Sequence, residues 1–228
     1  MKKLNTLFLI LTLSTGCSQE IVSSKYAESI NSNDLEDLLS VYSSDGFEGR
    51  QTGTKGDRTA ANFLRDFYIS NKIGPALNTI DYFQPYQLNL PGKMYTFNYS
   101  FPSTLRGYDR YAQGDNFVDT QNVASVIEGE IYPESYLIIT GHLDHVGING
   151  DEVYNGADDN GSGTVSILEI AQAFQEAVED GVRPKRSVVF LHVSGEEEGL
   201  LGSEYYVNNS LYPLENTFAT LNLDMIGR

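Results

Sequence analysis

The chain of 228 residues is poor in the residue types that most often build covalent or metal frameworks. It has one cysteine, three histidines and no tryptophan. A single cysteine excludes an internal disulfide framework and a zinc site built from several cysteines. Basic residues are also scarce, since 15 Lys and Arg stand against 31 Asp and Glu, and the formal net charge is −16. Nucleic-acid backbones and anionic membrane surfaces both need a basic face, so we predict neither as a partner.

The apolar run at the N-terminus is short. It extends over 11 residues from Leu4 to Ser14 and follows Lys2 and Lys3, which is the order of charge and apolar core in an export signal and is too short to span a bilayer. The run leads to Cys17, where it resembles a bacterial lipobox whose cysteine is acylated. We therefore predict a signal peptide over residues 1–16 and lipidation at Cys17. The protein would then be exported to a bacterial cell envelope, periplasmic or held at the membrane only through its lipid anchor; a plain secretory signal is the alternative.

The remainder has the composition of one globular domain, with 40% hydrophobic and 20% charged residues. Polar residues follow Cys17, so we assign 17–30 to a tether and 31–228 to a single domain. Apolar residues at three- and four-residue spacing predict two helices. The first opens at 32–34 and has apolar positions from Leu35 to Tyr42, and the second has apolar positions from Ala60 to Tyr68 and stops near 74–75. Alternation rich in Tyr and Phe predicts exposed antiparallel strands within 78–100.

The second half of the chain alternates between apolar runs and helical patterns. The predicted strands are 123–127, 136–140, 187–193 and 218–223, and the predicted helices are 161–179 and 200–208. Strands that alternate with helices predict an α/β fold with a mostly parallel, mixed central sheet flanked by helices. In such sheets the functional site lies beyond the carboxyl ends of the strands.

Acidic residues and a histidine occupy those carboxyl ends. The first predicted strand of the parallel set leads into His142 and Asp144, the next into Glu196 and Glu197, and the last into Asp224, while Asp158 and Asp159 precede the long helix. So many negative charges at one edge of a sheet would repel one another without a cation. Mixed histidine and carboxylate ligands favour zinc or a related ion over calcium.

Four ordered motifs carry a family resemblance. They are His142-Leu143-Asp144, the run 156–163 (Gly-Ala-Asp-Asp-Asn-Gly-Ser-Gly), Glu196-Glu197 with Gly199-Leu200 and Gly202-Ser203, and Leu223-Asp224-Met225. In order and spacing they resemble the co-catalytic dizinc aminopeptidases of peptidase family M28, clan MH, in a bacterial lipoprotein-type member. The resemblance implies a zinc-exopeptidase fold of the phosphorylase/hydrolase-like type over the domain 31–228.

The resemblance also implies the metal ligands. By position, His142 and Asp224 would bind the first zinc, Glu197 would bind the second, and Asp159 would bridge the two. Glu196 would be the general base that accepts a proton from the attacking water. Asp144 would stand behind His142 and set the tautomer of its imidazole. The implied cofactor is two zinc ions, and the implied substrates are peptides that lose their N-terminal residue.

In the family that the chain resembles, the second zinc takes its last ligand from a histidine well downstream of the Asp224 position. No histidine follows His192 here, so we expect this sequence to be part of a longer enzyme, with an incomplete second site. Two other function classes stay open: a single-zinc enzyme like the glutaminyl cyclases, and a non-catalytic envelope protein if the chain truly ends at 228.

Several neighbouring residues allow plainer interpretations. His145 either contacts the substrate or caps its loop, and His192 is expected to be a core histidine because it lies inside a predicted buried strand. Asp158 is expected to be structural. Glu48 and Arg50 are expected to form a local salt bridge.

Overall fold

The computed structural model describes residues 25–89, 96–97 and 117–227. The predicted signal peptide, Cys17 and residues 17–24 of the tether lie outside these ranges. Within the described residues, no helix has both the length and the apolar character needed to cross a bilayer.

The described residues form helices and strands in alternation over the second half of the chain. Among the described residues, the four longest helices are α1 (Ser32–Tyr42), α2 (Lys55–Ser70), α3 (Gly163–Glu179) and α4 (Leu201–Asn208). The strands are β1 (Gly74–Pro75), β2 (Phe83–Asn89), β3 (Thr96–Phe97), β4 (Phe117–Ile127), β5 (Tyr132–His142), β6 (Gly147–Asn149), β7 (Glu152–Tyr154), β8 (Arg186–Val193) and β9 (Thr217–Asn222). Irregular helical turns cover Asp45–Arg50, Ala157–Ser162 and Leu214–Asn216.

The central sheet is mixed. Its strand order is β3-β2-β4-β8-β5-β9, and β1 pairs with β4 outside this path. The pairs β8–β5 and β5–β9 are parallel, whereas β4 runs antiparallel to β8 and to β2. The three mutually parallel strands β8, β5 and β9 are therefore neighbours, and their carboxyl ends meet at one edge.

Both faces of the sheet are covered, as the alternation along β8 demonstrates. Val188 and Phe190 point into a core shared with α1, α2 and α3. Val189 and Leu191 point into the opposite core, which includes Tyr206 of α4 and the segment after it. Because successive side chains of a strand point to opposite faces, an uninterrupted apolar run is what a strand buried on both sides requires.

The predicted fold class is confirmed, as are the predicted elements of the second half. Their bounds differ from the observed ones by up to six residues, the largest difference being the earlier start of β4 at Phe117. The prediction of antiparallel strands within 78–100 is confirmed for β2, but the predicted exposure of that strand is wrong. β2 is antiparallel, but Tyr86 and Leu88 are buried against Leu201 and Tyr205. The Tyr86 hydroxyl can be buried because it donates a hydrogen bond of 2.6 Å to the Ser194 carbonyl. The rest of that prediction lies outside the described residues.

Candidate metal centre

The carboxyl ends of β5, β8 and β9 bring the predicted site residues together. His142 is the last residue of β5, Glu196 and Glu197 follow β8 by three and four positions, and Asp224 follows β9 by two. Asp159 comes from the irregular turn that precedes α3. The edge of the sheet predicted from the strand order is thus the edge where these side chains meet.

The first cluster consists of His142, Asp159 and Asp224. The Nε2 atom of His142 lies 3.1 Å from Oδ1 of Asp159 and 3.5 Å from Oδ1 of Asp224. Each of the three residues offers one ligand atom, and these three atoms all lie within 4.8 Å of one another. The imidazole is 3% exposed, while the carboxylates face the open side of the site at 36% and 39%. This imidazole and carboxylate set fits zinc.

The second cluster consists of His145, Asp159 and Glu197, which also offer three ligand atoms within 4.8 Å of one another. It shares only Asp159 with the first cluster. The Nδ1 atom of His145 lies 2.6 Å from Oε1 of Glu197 and 4.0 Å from Oδ2 of Asp159. The sequence left the role of His145 open, because a position three residues beyond the end of β5 does not say which way the side chain points.

Asparagine 160 fixes the turn that carries Asp159. Its side-chain amide donates to the Leu223 carbonyl at 2.8 Å, and its Oδ1 accepts from the backbone N–H of Gly163 at 3.1 Å and of Met225 at 3.3 Å. One buried side chain thereby joins the start of α3 to the residues on both sides of Asp224. Asp159 and Asp224 are held at a set distance because the same amide bonds both of their loops.

Asp144 is fully buried beside His142, and the shorter of its two contacts with the imidazole is made by its backbone carbonyl. The imidazole Nδ1 of His142 lies 3.0 Å from the backbone carbonyl of Asp144 and 3.7 Å from its carboxylate. The carboxylate accepts hydrogen bonds from the Thr52 hydroxyl at 2.9 Å and from the backbone N–H groups of Glu196 and Glu197 at 3.2 and 3.4 Å. The backbone carbonyl therefore orients the imidazole, and the carboxylate positions the two glutamates.

The acidic surroundings shift the pKa values of two site residues. Burial opposes protonation of His142, but the carboxylates of Asp144, Glu196 and Asp224 outweigh it and raise the pKa of His142 to about 9. A cation that binds there must displace a proton, so its affinity falls as the pH is lowered. Burial, reinforced by the neighbouring negative charges, raises the pKa of Glu196 above its usual range despite the opposing charge of His142.

Arg50 corrects another expectation. Glu48 pairs with Lys55 at 2.6 Å, not with Arg50. The guanidinium of Arg50 is fully buried and donates to four backbone carbonyls, which belong to Leu143, Tyr42, Asn155 and Gly156, at 2.7 to 3.2 Å. It thus joins the loop after β5 to the turn that carries Asp159.

Asp57 also supports the site, and we did not predict it. Its carboxylate accepts hydrogen bonds from the hydroxyls of Thr120 and Ser194 and from the Gly53 N–H at 2.7 to 2.9 Å. Burial raises the pKa of Asp57 to about 7 against these hydrogen bonds. The contact with Ser194 anchors the end of β8 two residues before Glu196. A lone acidic residue early in a helix carries no sequence signal of such a role.

The remaining histidine and acid have the roles expected of them. His192 is fully buried, and its Nε2 lies 2.7 Å from the Tyr68 hydroxyl, which confirms a core histidine. Asp158 accepts hydrogen bonds from the Ser162 hydroxyl and the Gly227 N–H at 3.2 and 2.9 Å.

Comparison with known proteins identifies a family for the second half of the chain. Residues 122–228 match the model of peptidase family M28. The segment is 41% identical over 97 residues to the leupeptin-inactivating enzyme 1 of Streptomyces exfoliatus, covering 42% of this chain and 20% of that protein. It is 34% identical over 108 residues to the aminopeptidase NAALADL1 of Mus musculus, covering 46% of this chain and 14% of that protein.

The fold is that of a solved Zn-dependent exopeptidase from Parabacteroides distasonis. The TM-score is 0.61 at 16% identity, and the match covers 86% of this chain and 62% of the other. The chain spans no more than a fifth of the length of the two relatives named above. At this identity the likeness shows a shared fold alone.

Proposed function

Residues 122–228 belong to peptidase family M28, and from this premise we propose that the protein is a zinc-dependent exopeptidase that removes N-terminal residues from peptides. The observation that carries the proposal is the pair of clusters at the sheet edge. His142, Asp159 and Asp224 form one, Glu197 belongs to the other, and Asp159 is common to both. Two zinc ions held by these residues would polarise the scissile carbonyl and lower the pKa of the attacking water.

Glu196 supplies the proton transfers. It lies beside the first cluster, with Oε2 at 3.9 Å from Nε2 of His142, and its raised pKa suits a group that must accept and then release a proton. As water attacks the carbonyl carbon, the Glu196 carboxylate accepts one of its protons. The same proton then goes to the amide nitrogen as the C–N bond breaks, so the products are a free carboxylic acid and a free amine.

The backbone anchoring of Glu196 and Glu197 explains how adjacent glutamates divide these tasks. Both backbone N–H groups donate to the Asp144 carboxylate, which holds the turn after β8 in one conformation. Both glutamates offer a ligand atom near His142, but of the two Glu197 alone is also grouped with Asp159 and His145. A carboxylate-rich site also favours a positively charged α-amino group on the substrate, which supports cleavage at the N-terminal end.

Replacement of Glu196 by glutamine tests the base. We expect Glu196→Gln to keep the zinc content of the wild type and to lose turnover of leucyl p-nitroanilide by about a hundredfold or more. Glu198→Gln is the matched control, because Glu198 is the adjacent acid and belongs to neither cluster; it should retain activity. Full activity in Glu196→Gln would refute the assignment of the base.

Parallel assays separate the alternative functions. A wild-type protein that leaves the anilide intact but cyclises an N-terminal glutaminyl peptide would be a glutaminyl cyclase. A protein that binds no zinc and converts neither substrate would be a non-catalytic scaffold. Export and lipidation at Cys17 remain part of the proposal. The intact mass of the protein purified from membranes tests them, because acylation adds fatty-acid mass to a chain that begins at Cys17.

A further inference from the structure

His145 lies where a ligand of the second metal position would be expected. Its Nδ1 atom is 2.6 Å from Oε1 of Glu197 and 4.0 Å from Oδ2 of Asp159. We propose that His145 is a further protein ligand of that position, in addition to Asp159 and Glu197. The inference rests on the proposed zinc centre and adds to it a residue to which the family resemblance assigned no metal.

The spacing within this cluster resembles the spacing within the first. Ligand atoms around a tetrahedral zinc with bonds of about 2.0–2.2 Å stand roughly 3.3 Å apart. In the first cluster, His142 lies 3.1 and 3.5 Å from its carboxylate partners. In the second, the distances from His145 are 2.6 and 4.0 Å. Ligation of one ion requires the His145 nitrogen to move away from Glu197 and towards Asp159, which lengthens the short distance and shortens the long one.

The backbone and the packing of His145 hold the imidazole at this place. The backbone N–H of His145 donates to the Arg50 carbonyl at 3.2 Å. Two residues earlier, the Leu143 carbonyl accepts from the Tyr42 hydroxyl and from Nε of Arg50, both at 3.0 Å. The side chain is 13% exposed. Since the ring is ordered by its neighbours before any ion arrives, little conformational entropy is lost on binding.

Gly156 provides the space for the ring. A Cβ atom at this position would lie 2.5 and 2.6 Å from the Cδ2 and Cγ atoms of the His145 imidazole. The backbone of Gly156 is held at this close approach by Arg50, whose Nη2 donates to the Gly156 carbonyl at 2.8 Å. Arg50 thus acts on His145 in two ways: its backbone carbonyl accepts from the His145 N–H, and its guanidinium holds the Gly156 backbone against which the ring packs.

A simpler role would be that His145 only orients Glu197 through the hydrogen bond. Glutamine at this position has a side-chain amide that can still donate to Glu197, but it offers a poor zinc ligand. The two roles therefore predict different results for His145→Gln. If His145 is a ligand, neither alanine nor glutamine should restore zinc binding at the second position. If His145 only orients Glu197, glutamine should restore it and alanine should not.

Zinc stoichiometry and affinity distinguish the roles without any peptide substrate. The protein would be stripped with a chelator, titrated with zinc in a metal buffer and analysed by elemental mass spectrometry, with cobalt(II) absorption as a second readout of ligand number. The variants are His145→Ala, His145→Gln and His142→Ala, with Glu198→Gln as a control outside both clusters. Circular dichroism of each variant tests whether it folds. If a His145 variant does not fold, His145→Asn is measured in its place.

We expect the wild type and Glu198→Gln to bind two zinc ions per chain. His145→Ala and His145→Gln should each keep one ion at wild-type affinity and bind the second more than a hundredfold more weakly. Loss of an orienting partner costs about 10–100-fold in metal affinity. The ligand assignment would therefore be overturned if His145→Ala weakened binding of the second zinc ion while His145→Gln bound it within tenfold of the wild-type affinity. Two unaltered ions in His145→Ala would also overturn it. A wild type that binds no zinc would refute the proposed function as well.

Discussion

Replacement of Arg50 tests whether one buried guanidinium holds the candidate metal centre together. Its side chain is fully buried and donates to four backbone carbonyls, yet no carboxylate is among its hydrogen-bond partners. Arg50→Met keeps much of the apolar volume and removes every donor. We expect it to lower the free energy of unfolding and to loosen the turn that carries Asp159.

The magnitude follows from what each carbonyl retains. Leu143 O still accepts from the Tyr42 hydroxyl, and Gly156 O still accepts from the Gly161 N–H. The carbonyls of Tyr42 and Asn155 have no second donor among the described residues. A buried acceptor left without a donor costs about 1–3 kcal/mol. The expected loss is therefore about 2–6 kcal/mol, a large part of the roughly 5–15 kcal/mol of a typical domain.

Urea unfolding followed by circular dichroism measures this loss. Arg50→Lys should be intermediate, because an ammonium group keeps the charge but cannot reach carbonyls on several sides at once. Lys72→Met is the control; Lys72 is exposed, its ion pair with Glu179 spans 2.9 Å, and removal of such a pair should cost no more than about 1 kcal/mol. An Arg50→Met protein as stable as the control would refute the reasoning. It would mean that the desolvation cost of the buried charge cancels its hydrogen bonds.

Two further predictions concern stability. Gly202→Ala should destabilise the protein by about 1–3 kcal/mol or more, because the new Cβ would overlap the Ser194 carbonyl oxygen. Thermal unfolding should show no such loss for Gly74→Ala, because a Cβ at that position has nothing within 4 Å. Burial lowers the pKa of His192 to about 3, below its usual value near 6.5, so the folded state resists a proton that the unfolded state accepts. Stability that is present above pH 6.5 is lost as the pH falls towards 3, and between pH 6 and 4 the wild type should lose about 1.4 kcal/mol per pH unit more than His192→Gln. Parallel curves for the two proteins would contradict this origin of acid sensitivity.

The sequence predicted the α/β architecture because its second half has clear periodic patterns. An uninterrupted apolar run such as 187–193 predicts a strand that is buried on both faces of a sheet. The helical spacing within 161–179 predicts a helix that packs on one of those faces. The parallel order of strands then implied that His142, Glu196 and Asp224 lie at one edge. Short-range patterns were less informative for β2, because alternation cannot report that Tyr86 has a buried carbonyl partner at Ser194.

The sequence by itself determined which residue types stand at the ends of the strands. Because the topology brings those ends together, these residue types set the chemical groups available at the site. The tertiary structure alone decided how these side chains are held. Arg50 acts on carbonyls up to 106 positions away, Asp144 turns its carboxylate towards the glutamates, and His145 faces Glu197 because a glycine 11 residues later leaves room for its ring. Such contacts depend on distances between segments far apart in the chain, and no local periodicity encodes those distances.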